Sequence, residues 1–105
     1  MLDFASIVST RDAEEARKLG ALERVLLFPE VLGGQAVPED VVYLTPPAAE
    51  TKDSANAELI EAIRAGMSDI NIVPEYRGSS FVPTKIRITA YPGRLPAFER
   101  VIEIW

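Results

Sequence analysis

The chain has 105 residues, of which 48% are hydrophobic and 26% charged, with no cysteine and no histidine. That length suits a single domain, 1–105, and surface scaling removes about 65% of the unfolded chain's surface from water. Without thiols or imidazoles there is no disulfide scaffold, thiolate zinc site, iron–sulfur centre, cysteine nucleophile or histidine base. Zinc, copper and iron lose their preferred ligands as well.

Eleven basic against sixteen acidic residues give a net charge of −5. A negative domain is repelled by phosphate backbones, so nucleic acid is disfavoured as a partner. The charges segregate: residues 1–69 carry 6 basic and 13 acidic groups, while residues 70–105 carry 5 basic and 3 acidic. Asp3 stands where a signal peptide needs positive charge, and the longest apolar runs, 25–28 and 41–44, are far too short to cross a bilayer. The expectation is a cytoplasmic protein with no membrane association.

In chain order, residues 2–8 are mostly apolar and read as a short strand. Ser9 and Thr10 offer N-caps to a helix over 11–19, acidic in its first turn and basic in its last, which Gly20 ends. Residues 22–28 read as a strand stopped by Pro29. Ala13, Ala16, Leu19, Leu22 and Leu26 also recur at helical spacing, so one helix through 11–27 is the alternative, against which an interior glycine costs about 1 kcal/mol. Residues 29–34 predict a single helical turn. The run 41–44 is a β-branched and aromatic strand.

Thr45 and Pro46 then suit an N-cap and first helical position. The strongest helix runs over 48–65, with Leu59, Ile60 and Ile63 as its apolar stripe and Gly66 as its stop; the polar stretch 51–54 leaves open a start after Asp53. Strands follow at 69–73, before Pro74, at 85–91 and at 98–105, with 92–96 turning between the last two. The order is β-α-β-β-α-β plus a C-terminal β-hairpin: an α+β domain, a mixed ferredoxin-like sheet of at least five strands with two helices on one face.

Centring the last turn on Arg94 sets Lys85 opposite Glu103, Ile86 opposite Ile102 and Ala90 opposite Phe98. Lys85 and Arg87 then neutralise Glu99 and Glu103. Arg100 falls on the apolar face with Phe98 and Ile102, where it must snorkel to water. The last strand, ending in Trp105, is a candidate sheet edge open to another chain.

Chemical motifs are sparse. The pair Gly33-Gly34 lacks the context of a dinucleotide fingerprint or P-loop, and no cofactor is implied. Paired acids such as Glu14-Glu15 and Glu39-Asp40 read as solvated faces. Lys52 sits among polar neighbours and Lys85 on a polar strand face, so neither reads as a desolvated nucleophile. Tyr43 reads as a core residue with its hydroxyl at the rim.

The candidate binding site is the loop Tyr76, Arg77, Gly78 and Ser79, with Arg94 nearby. It combines an aromatic, guanidinium groups and a Gly/Ser turn in the net-positive part of the chain. The functional expectation is a non-enzymatic interaction domain (an adaptor, a subunit, or an inhibitor- or immunity-type partner), bound to another protein or to itself as a homodimer. The alternative is a small-molecule binder or small enzyme using carboxylates and tyrosines in a subunit-interface pocket.

Overall fold

The computed structural model describes residues 3–91 and 97–105. Two α-helices, α1 (Thr10–Lys18) and α2 (Pro46–Arg64), combine with five strands, β1 (Glu23–Leu26), β2 (Val41–Leu44), β3 (Ser68–Glu75), β4 (Lys85–Tyr91) and β5 (Phe98–Glu103). The α+β class is therefore established. All strand pairs are antiparallel among the described residues, and they form two sheets, β1–β2 and β3–β4–β5, instead of one mixed sheet. The element order stays compatible with a split βαβ arrangement, with no parallel pair to establish it.

The missing strand explains the divided sheet. Residues 4–6 form a 3-10 turn: the Asp3 carboxylate accepts from the Ala5 N–H at 3.0 Å, and the Ser6 hydroxyl donates to the Asp3 carbonyl at 2.7 Å. Short polar side chains that satisfy nearby backbone groups compete with ladder formation, and here they win.

Local signals set the helix ends. Ser9 caps α1 by accepting from the Asp12 N–H, and the Asp12 carboxylate accepts in turn from the Val8 N–H, just before the cap. Thr45 caps α2, with Pro46 in its first position, so the polar stretch 51–54 is interior to the helix. Strand β3 runs through Pro74 to Glu75. It is an edge strand of its sheet, where a proline's missing N–H costs no ladder bond.

Alternation along β2 separates two cores. Val42 and Leu44 pack with Leu59 of α2 and with Ile86, Ile88 and Ile102 of the larger sheet. Tyr43 points the other way, into a second cluster with Ile7, Ala13, Ala16, Leu22 and Val82. The two helices thus cover opposite faces of the β1–β2 hairpin, not one face.

The buried stripe of α2 is Ala48, Lys52, Ala55 and Leu59, while Ile60 and Ile63 are only half-buried. Lys52 is 0% exposed. Its ammonium donates to the Leu27 carbonyl at 2.7 Å and to Asn56 Oδ1 at 3.2 Å. Desolvation lowers its pKa from 10.5 to about 8, against the opposing pull of Asp40 and Asp53. Its polar neighbours in sequence are therefore misleading: helical spacing, not adjacency, decides what surrounds it.

The β4–β5 ladder has the register expected, Lys85 opposite Glu103, Ile86 opposite Ile102 and Ala90 opposite Phe98. Arg87 pairs with Glu99 at 3.1 Å. Arg100 does escape the apolar face, lying over the Phe98 ring and bonding Glu58 of α2 at 2.6 Å. Trp105 is not part of β5; it folds back, donating from Nε1 to the Val82 carbonyl at 2.9 Å.

A candidate binding groove beside the smaller sheet

A groove of about 600 Å³ opens on the face of β1–β2 that lies opposite α2. Its floor carries Arg24, Val41 and Tyr43, with Arg24 and Tyr43 directly opposed across the two strands. One wall is the segment 36–38, and the other is formed by Tyr76, Gly78, Ser79 and Phe81. Thr10, the first residue of α1, also lines it.

Each wall is held by bonds the chain makes to itself. Asp40 organises the 27–40 connection: its carboxylate accepts from the Phe28 and Gln35 N–H groups at 2.9 and 3.2 Å. Its own carbonyl accepts from Leu27. Gly34 packs so closely that an added Cβ would lie 1.7 Å from the Phe28 carbonyl oxygen, which only glycine tolerates. On the opposite wall, Ser80 donates to the Phe4 carbonyl at 2.6 Å and accepts from the Val82 N–H. The Phe81 N–H donates to Ile7 at 2.7 Å, and Gly78 turns the chain at φ +59°. Tyr76, Phe81 and Val37 remain 48%, 40% and 40% exposed on these anchored segments.

Behind the floor, the Tyr43 hydroxyl donates to Glu14 at 2.7 Å, and Arg17 grips the same carboxylate through Nε and Nη2. These bonds, that from Arg17 first and that from Tyr43 second, hold Glu14 at a pKa of about 2. Tyr43 is pushed upward by burial and by Glu14, so it stays protonated at neutral pH. Glu14 is thereby committed to α1 and the tyrosine. Arg24, by contrast, has no ion pair and no side-chain hydrogen bond among the described residues.

Of the expected site, Tyr76, Gly78 and Ser79 line this groove. Arg77 turns away, its guanidinium 5.6 Å from the centre of the Trp105 ring, in a separate hollow of about 460 Å³ shared with Thr84 and Lys85. Arg94 lies outside the described residues. Arg24, Val37, Val41 and Phe81 carry no motif, Tyr43 reads from the sequence as a core residue with its hydroxyl at the rim, and only pairing 23–26 against 41–44 puts Arg24 beside Tyr43.

The lining contains hydroxyls, one guanidinium and apolar surface, with no carboxylate, amine, thiol or imidazole. Among the described residues no acidic cluster could hold a metal ion, and no helix is long and apolar enough to cross a membrane. Compared with family models, curated proteins and solved structures, the chain matches none.

Proposed function

We propose that this chain is a non-enzymatic protein-interaction domain that receives a segment of a partner protein in the groove beside β1–β2. One observation carries the reading: exposed aromatic and aliphatic side chains stand on two internally bonded walls around an open trough. Aromatic residues and arginine dominate binding hot spots. A surface already held in place loses little entropy on association. The partner is another protein or a second copy of this chain, nucleic acid is disfavoured by the net charge of −5, and the setting is cytoplasmic.

Selection from a displayed random-peptide library tests this, run in parallel on the unaltered chain and on Val37→Ser/Phe81→Ser. Both positions are partly exposed, so the fold should survive the change. A shared motif that the double variant no longer enriches supports the groove. Enrichment indifferent to the two substitutions would move the interaction elsewhere. The volume also lies within the roughly 300–1,000 Å³ range of small-ligand sites. That observation favours, as the second reading, a binder of small organic molecules.

A further inference from the structure

Resting on the groove reading, we infer that the partner segment presents a carboxylate beside an aromatic or large aliphatic side chain, the carboxylate meeting Arg24 and the apolar group lying between Val37 and Phe81.

The charge pattern argues for the acid. In a chain of net charge −5, the groove lining holds one cation and no anion. Arg24 is solvent-exposed at the groove floor and uncommitted among the described residues. Glu14 is the acid whose field reaches it, and both oxygens of Glu14 are taken by Arg17 and Tyr43. An incoming carboxylate therefore gains a guanidinium fork without displacing an internal partner. The single guanidinium also selects between anions. A carboxylate brings one charge, which one arginine matches, whereas a phosphomonoester brings nearly two and would leave one facing an acidic protein.

The walls argue for the neighbouring side chain. Val37 and Phe81 stand on opposite walls, each 40% exposed, and Tyr76 adds a half-exposed ring. An apolar side chain seated against these residues removes apolar surface from water, at roughly 25 cal/mol per Å². Serine and threonine hydroxyls along the same trough leave the peptide backbone partners for its own polar groups.

Terminally blocked tetrapeptides titrated into 15N-labelled protein provide the test, one containing Asp-Phe and the others Asn-Phe, Asp-Ser and phosphoserine-Phe. The Asp-Phe peptide should move the amide signals of 24, 36, 37, 39–41 and 76–81, with Asn-Phe and Asp-Ser each about tenfold weaker. In Arg24→Gln the Asp-Phe and Asn-Phe peptides should become equal. If Asn-Phe matches Asp-Phe on the unaltered chain at the same amides, carboxylate recognition fails while the groove survives. That comparison needs no variant to fold. Equal binding of Asp-Ser removes the apolar requirement, tighter binding of the phosphopeptide overturns the choice of anion, and no response at those amides from any peptide defeats inference and groove together.

Discussion

An ionised lysine with no exposed surface makes stability depend on pH in a direction opposite to that of an ion-paired lysine, whose folded-state pKa is raised. Lys52 lies in the apolar stripe of α2, and burial lowers its pKa from 10.5 to about 8. Below pH 8 the folded and unfolded chains both carry the proton, and the cost of burying charge is fully present. Between about pH 8 and 10.5 the unfolded chain keeps the proton that the folded chain has released, so stability rises with pH. Linkage gives a gain of about 2 kcal/mol from pH 7 to pH 9.5.

Lys52→Met should abolish that gain while preserving side-chain volume. At pH 7 the variant no longer buries a charge, but it leaves the Leu27 carbonyl without its donor, which costs about 1–3 kcal/mol. The two effects roughly cancel there, and the variant falls behind only as the pH rises. Urea unfolding at both pH values, followed through Trp105 fluorescence, reads the difference directly. The remaining lysines, Lys18 and Lys85, and all three tyrosines are common to both proteins and drop out of the comparison. Parallel pH dependence in the two proteins would mean that water reaches the ammonium, and would refute its burial.

Four other outcomes follow from the packing. Leu59→Ala should cost about 2–5 kcal/mol through its cavity, and Ile63→Ala less than about 2, because Ile63 already meets water; midpoint shifts at constant denaturant slope rank the pair. Gly34→Ala should lose about 2 kcal/mol or more in thermal or urea unfolding, since the clash is with the Phe28 carbonyl, which cannot swing aside like a side chain. Glu14, held near pKa 2 against 4.5, contributes stability at neutral pH that fades as pH falls from about 4.5 toward 2; Glu14→Gln should show a flatter acid titration over that interval. Arg77→Ala should change stability by less than about 1 kcal/mol, the scale of an exposed cation–π contact, and leave peptide shifts in the groove unaltered.

What was readable from the sequence was local. The β4–β5 register follows from alternation and a turn of a few residues, and Thr45-Pro46 announces the start of α2 within two positions. What escaped depends on distant segments. Nothing adjacent to Lys52 signals burial, because the carbonyl that accepts from it lies 25 residues away. Residues 2–8 are apolar enough for a strand, but Asp3 and Ser6 bond locally, and the segment at 80–81 meets this stretch only through single bonds to Phe4 and Ile7 among the described residues. Arg77 looked like the cation of the site because it adjoins Tyr76. Neighbouring residues in an extended loop face opposite ways, and Trp105, 28 positions on, supplied the surface that took it.

The groove takes its character from bonds that do not line it. Tyr43 could have offered its hydroxyl to a ligand, and Glu14 its charge; bonded to each other and to Arg17, they offer neither. That withdrawal leaves Arg24 as the one charge lining the trough among the described residues. Lys52 acts at the other side of the same sheet. By holding the Leu27 carbonyl it fixes the end of β1, where the Leu27 N–H in turn meets Asp40, whose carboxylate orders the segment leading to Val37. Core, loop and groove wall are thus joined by consecutive bonds, and a substitution at Lys52 should disturb the amides of 36 and 37 before it disturbs those of 76–81. A network confined to the core would move neither wall.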